Sequence, residues 1–147
     1  MIDAYNMDVS MAARKNDIER LREFHASGAR LDCCDEFGDS LLNIACRRSN
    51  TKIVKFLLEE AKASVFQRDD TGRTPLHDAC WTATPNFEVV DLLLNVAPEL
   101  ALIPDHRGFA PFDYARRADW ALWSAFLAER RSLFRRGCVY RDIDLYM

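Results

Sequence analysis

The chain has 147 residues, 49% of them hydrophobic, with a formal net charge of −3 and a mean hydropathy of −0.23. That length suffices to bury one continuous core, and so modest a charge gives no global reason to expect nucleic acid or a membrane surface. The opening Met1-Ile2-Asp3-Ala4-Tyr5-Asn6-Met7-Asp8 has neither a basic lead nor an apolar run, and no apolar stretch approaches membrane length, so secretion and membrane insertion are disfavoured.

Helical signals come in pairs along the chain. The first is Ala12-Ala13-Arg14-Lys15-Asn16-Asp17-Ile18-Glu19, followed by Ile18, Leu21 and Phe24 at helical period and closed by Gly28-Ala29. A second unit opens at Asp35 with Gly38, then Ser40-Leu41-Leu42-Asn43 and Ala45, then Ile53, Val54, Leu57 and Leu58. The third opens at Asp69 with Gly72, then Thr74-Pro75-Leu76-His77-Asp78-Ala79-Cys80, then Phe87, Val90, Leu93 and Leu94. The fourth opens at Asp105 with Gly108, then Ala110-Pro111-Phe112-Asp113 and Ala115, then Trp120, Trp123, Phe126 and Leu127.

Gly38, Gly72 and Gly108 are 34 and then 36 residues apart; each stands three positions after an Asp and seven before an Ala. The positions have mechanical uses. Gly72 permits a positive φ in a tight turn, Thr74 can cap a helix, and Pro75 fits the first helical position, where no N–H is needed. Leu76, Ala79 and Cys80 share one face, and the small Ala admits a neighbouring helix. A turn plus two helices repeating at about 33 residues resembles the ankyrin repeat, whose T-P-L-H-x-A signature is matched by Thr74-Pro75-Leu76-His77-Asp78-Ala79.

The resemblance implies an all-α solenoid of helix-turn-helix units joined by β-turn loops. Its units span about residues 7–34, 35–68, 69–104 and 105–131, the first an atypical terminal repeat. The loops after Glu60-Ala61-Lys62-Ala63 and Val96-Ala97-Pro98-Glu99 are expected to be longer and less regular. About two extra residues at Ala83-Thr84-Pro85 lengthen the turn inside the third unit. Residues 132–147 have no repeat signature and are apolar enough to fold over the last unit in place of a capping repeat. The competing view is a linear motif, or an import signal at Arg130, Arg131, Arg135 and Arg136, and the expected location is cytoplasmic or nuclear.

Cys46 and Cys80 occupy equivalent positions in adjacent units, too far apart for a disulfide, and read as reduced core thiols. Cys33, Cys34 and Cys138 complete an odd count with no C-x-x-C spacing. His77 and Cys80 fall short of a zinc ligand set, and the resemblance gives His77 a structural role, hydrogen-bonding the turn. No Gly-rich phosphate loop, nucleophile elbow or paired metal ligands are visible, so neither catalysis nor a cofactor is expected.

What the resemblance implies instead is a protein-binding surface in two rows, on an expected monomer. The turn tips are Glu36, Phe37 and Asp39; Asp70, Thr71 and Arg73; His106, Arg107 and Phe109. The first-helix edges carry Arg14 and Lys15, Arg47 and Arg48, Trp81 and Thr82, Arg117 and Ala118. Arg14, Lys15, Arg47, Arg48 and Arg117 would form a basic floor interrupted by Trp81, suited to an acidic protein segment with an apolar anchor. The same cations would also decorate the solvated side of any amphipathic helix, and Trp81 could instead cover the enlarged turn. Two further readings stay open: a small regulatory inhibitor of a kinase, and a phosphate or nucleic-acid binder acting through the basic row.

Overall fold

The computed structural model describes residues 7–31, 35 and 38–134. Glu36, Phe37, Cys33, Cys34, Cys138 and the segment 135–147 lie outside the described residues. Within them the chain is helical, with no strand. Helices α1 (Met7–Arg14) and α2 (Ile18–Ala26) form the first pair, α3 (Leu41–Arg47) and α4 (Thr51–Glu59) the second, and α5 (Pro75–Cys80) and α6 (Phe87–Val96) the third. α3 packs against α1 and α5, while α4 packs against α2 and α6, so first and second helices stack in separate layers. Ala13, Ala45 and Ala79, one per pair, are buried where the first helices meet. Leu21, Leu57 and Leu93 are buried on the second helices.

The Asp-x-x-Gly spacing has a direct physical cause. Gly38, Gly72 and Gly108 all have positive φ, and their amides donate to the carbonyls of Asp35, Asp69 and Asp105 at 3.0, 2.9 and 3.0 Å. Each Asp carboxylate then accepts the amide four residues ahead: Asp39 N at 2.9 Å, Arg73 N at 3.0 Å, Phe109 N at 2.9 Å. An Asx-type turn of this kind satisfies its own amides, so it can stand at the edge of the stack.

Successive turns touch. A Cβ on Gly72 would lie 2.5 Å from the His106 ring and 2.8 Å from its backbone nitrogen, and one on Gly38 would lie 3.1 Å from Asp69 Cα. His106 N donates to Thr71 O at 2.9 Å across the Gly72 contact. At the other edge, Asn50 Nδ2 donates to Ala13 O at 3.1 Å and Asn86 Nδ2 to Ser49 O at 3.4 Å, so the caps of α4 and α6 reach the preceding pair. Asn16 and Ser49 take left-handed φ values of 58° and 57° between the helices of the first two pairs. The insertion at Ala83-Thr84-Pro85 replaces that compact link in the third.

Three sequence expectations need correction. The loop after α6 is ordered: Pro98–Leu102 winds as a 3₁₀ turn that buries Leu100 and Ala101. Beyond Gly108 no first α-helix forms. Pro111–Tyr114 is a 3₁₀ turn, Ala115 leaves helical geometry at ψ 129°, and Arg117–Asp119 makes a separate 3₁₀ turn leading to α7 (Trp120–Glu129). Tyr114 Oη donates to Asp105, and Arg116 Nη1 to Ala83 O at 2.9 Å; these tethers hold the chain off the helical path, so Arg117 and Ala118 do not continue the first-helix row. Thr82, at 8% exposure, turns inward, because the chain leaves α5 at Trp81 and Thr82 Oγ1 donates to Thr84 O at 2.8 Å.

α7 closes the described stack through aromatics. Phe126 stacks on Phe87 at 4.5 Å, and Trp123 meets Phe87 edge-on at 5.0 Å. Arg130 makes a forked ion pair to Asp91 on α6, with its guanidinium 3.7 Å from the Phe126 ring centre, so it is a clamp and not a free import-signal cation. α8 (Arg131–Phe134) follows, with Phe134 fully buried.

Candidate protein-binding face

Trp81 is 51% exposed and Phe109 42%, although both are large apolar side chains in a molecule with a well-filled interior. Trp81 ends α5, where the cap residue swings out of the helix with ψ 46°. The Arg73 guanidinium stacks 4.9 Å from the Trp81 ring centre and 5.3 Å from that of Tyr114. Tyr114 lies 6.3 Å from Trp81 and 6.0 Å from Phe109, which makes the three rings one aromatic strip across the third and fourth turns. Arg107 sits 5.4 Å from the Phe109 ring centre.

His77 sets this strip in place. Its Nδ1 accepts the Thr74 amide at 3.1 Å, which leaves Nε2 as the N–H donor to Phe109 O at 2.9 Å. The side chain thus caps its own helix and fixes the next turn, and burial lowers its proton affinity and favours the neutral ring, with the Phe109 carbonyl and Asp105 opposing. The family role implied for His77 and the observed geometry agree.

Beside the strip a groove of about 290 Å³ opens between the second and third turns and the ends of α3 and α5. Asp39, Asp70, Thr71, Arg47, Arg73 and Trp81 line it, all of them nominated from the sequence. Asp35 and Asp69 line it too, and sequence reasoning missed them by reading them only as frame residues of the turns. The recurring Asp three residues before each Gly was the signal that could have found them.

Arg47 is not a free cation. Nη2 donates to Asp39 at 2.6 Å and Nε to Asp78 at 3.3 Å, the latter 1% exposed. Asn43 Nδ2 adds a bond to Asp78 at 2.8 Å, and Ser40 Oγ donates to Asn43 Oδ1 at 2.6 Å, so a buried polar network joins α3 to α5. Burial pushes the Asp78 carboxyl up to about 6 against the pull of Arg47 and Asn43. Burial also raises Asp39 against Arg47, with Asp35 and Asp69 adding to the rise. Cys46 and Cys80 are buried free thiols whose proton affinity burial raises further.

The remaining nominated residues are dispersed. Arg14, Lys15 and Arg48 are exposed at the ends of α1 and α3, His106 and Arg107 are exposed on the fourth turn, and Arg117 stacks 5.4 Å from the Trp120 ring centre, away from the row. A larger groove of about 410 Å³ lies between α2 and α4, but its Arg22 is held by Glu19 at 3.1 Å and Glu60 at 3.4 Å. Among the described residues no helix is long and apolar enough to cross a membrane.

Comparison with known proteins agrees with this architecture. A family model described as Ankyrin repeats (3 copies) matches residues 9–102. The chain is 32% identical over 87 residues to the liver isoform of mitochondrial glutaminase from Mus musculus, a match covering 59% of this chain and 14% of that protein. It is 36% identical over 75 residues to protein phosphatase 1 regulatory subunit 27 of Mus musculus, covering 50% of this chain and 48% of that protein. It is 26% identical over 121 residues to diacylglycerol kinase zeta of Rattus norvegicus, covering 82% of this chain and 13% of that protein. The chain therefore spans a small part of the enzymes it matches and about half of the regulatory subunit. Ankyrin repeats are generally protein-interaction modules and typically non-catalytic. With the family model covering most of the chain and the turn-helix-helix units stacked as described, the chain belongs to the ankyrin-repeat family.

Proposed function

We propose that this chain holds an extended segment of a partner protein along its turn tips and first-helix edges, without catalysis, and that residues 105–131 act as a fourth, degenerate unit of that surface. The observation that carries this reading is an aromatic strip beside a groove, in which the half-exposed rings of Trp81 and Phe109 flank the partly buried Tyr114. Exposed indole and phenyl rings held by packed neighbours offer a partner large contact area at small entropic cost. An acidic stretch of the segment would lie against Arg14, Lys15 and Arg48, with an apolar anchor on Trp81 and Phe109.

The test is affinity purification from the source cell, identification of the main partner, and measurement of its affinity in purified form. Trp81→Ala with Phe109→Ala should weaken binding by about 2 kcal/mol or more, whereas Glu59→Ala on the α4 side should leave it unchanged. Equal loss from both variants would place the contact elsewhere.

The similarity to a phosphatase regulatory subunit over about half of that protein supports a narrower second reading, a small regulator of a phosphorylation enzyme, kinase inhibition included. Assays of candidate kinases and phosphatases with and without the chain decide it. A phosphate or nucleic-acid role has less support, because Arg47 is committed to Asp39 and Asp78 and Arg117 leaves the row.

A further inference from the structure

The groove beside Trp81 is rich in carboxylates, unlike the basic row nominated along the first-helix edges. The Gly38 turn packs on the backbone of Asp69 and Asp70, so carboxylates from two turns converge on one cleft. Four aspartates line it against two arginines. Arg47 is ion-paired by Asp39 and Asp78, whereas Arg73 lies flat against the Trp81 and Tyr114 rings, its buried Nε without a hydrogen-bond partner among the described residues. Asp69 and Asp70 have no ion-pair partner among the described residues. The upward push that Asp35 and Asp69 add to burial at Asp39 reports the same crowding of negative charge.

The groove also has an apolar wall. Trp81 lines it with half its surface uncovered, and Tyr114 continues the wall toward Phe109. A cleft with carboxylates on one side and an indole on the other is complementary to a long side chain with an apolar stem and a cationic head. Glutamate or aspartate would meet like charge there, and a purely apolar side chain would leave the carboxylates desolvated and unpaired.

We infer that the groove seats a lysine or arginine side chain of the bound protein segment, its stem against Trp81, its charged head by Asp69 and Asp70, with a neighbouring apolar residue of the segment on Phe109. This rests on the reading that the turn tips and first-helix edges hold a partner segment, and it names the side chain that reading requires at the centre of the face.

Random peptides displayed on phage, selected on the intact chain and counter-selected on its Trp81→Ala variant, supply the probe. Selected peptides are then synthesised and titrated by fluorescence anisotropy. Lysine or arginine beside an apolar residue is expected in the selected sequences. Replacing that cation by methionine, or introducing Asp70→Lys into the chain, should each weaken binding about tenfold, and Asp70→Lys should recover affinity for a peptide carrying glutamate at the cation position. The Asp70 side chain makes no hydrogen bond among the described residues, so the variant should keep the wild-type urea midpoint and helical circular dichroism. Trp81-dependent peptides that lack a cation and bind the Asp70→Lys chain undiminished would overturn the cation seat and leave the binding face standing. Loss of every binding peptide in the counter-selection, or no selected peptide at all, would overturn the binding face itself.

Discussion

Glycine at three equivalent turns does unequal amounts of physical work. Gly38, Gly72 and Gly108 at those turns, and Gly28 just past the end of α2, all have positive φ, but only at Gly38 and Gly72 would a Cβ meet a neighbour, and only at Gly72 does it overlap backbone at 2.8 Å. Gly72→Ala is therefore expected to cost about 2–4 kcal/mol, the left-handed penalty plus overpacking, and Gly28→Ala about 1 kcal/mol; urea unfolding measures both. Equal costs would show that turn-to-turn contact contributes nothing. Asp78 supplies a second test. The folded chain holds its proton up to about pH 6, the unfolded chain only to the ordinary value of 3.8, so the native state binds the extra proton between them and stability falls as pH rises through that window. Relative to Asp78→Asn, the wild type should lose up to about 3 kcal/mol between pH 4 and pH 7, read from paired urea titrations. A difference independent of pH would mean that Asp78 titrates alike in both states. The Asp-x-x-Gly frame was legible in sequence because each letter has a local cause in the turn. The pairing of Arg47 with Asp39 and Asp78 was not, since it depends on how two units dock.

Helices show where local pattern and tertiary demand part. The second helices were readable throughout, from Leu21 to Leu127, because an amphipathic period survives any neighbour. The first helix of the last unit was misread, because Pro111 and Ala115 keep the frame while the Tyr114–Asp105 and Arg116–Ala83 bonds redirect the chain. α7 depends on long-range aromatic packing more than on propensity, with Phe126 buried against Phe87 and beneath Arg130. Phe126→Ala should cost about 3–5 kcal/mol. Amide hydrogen exchange should speed up over residues 120–134 and stay unchanged over 18–26; acceleration across the whole chain would instead show one indivisible folding unit.

At the scale of the whole molecule the stack follows from the repeat, since each pair leaves apolar faces that only a neighbour can cover. The candidate face was half legible: the sequence pointed to Trp81, Arg73, Asp39 and Asp70, which the structure gathers around one groove, but it did not show that carboxylates of two successive turns converge there, because that depends on how the turns dock. Because the exposed rings of Trp81 and Phe109 belong to the surface and not to the core, the double alanine variant expected to weaken partner binding should keep the wild-type unfolding free energy in urea within about 0.5 kcal/mol. One feature of the stack also limits how it can be rebuilt. The enlarged link at Ala83-Thr84-Pro85 is fastened by Arg116, which belongs to the module that follows. Chimeras assembled by shuffling modules among related scaffolds should therefore tolerate replacement of the first module, yet lose order at that link whenever the third travels without the fourth. Inheritance in this chain is by linked blocks, with a fastener encoded downstream of the interruption it secures.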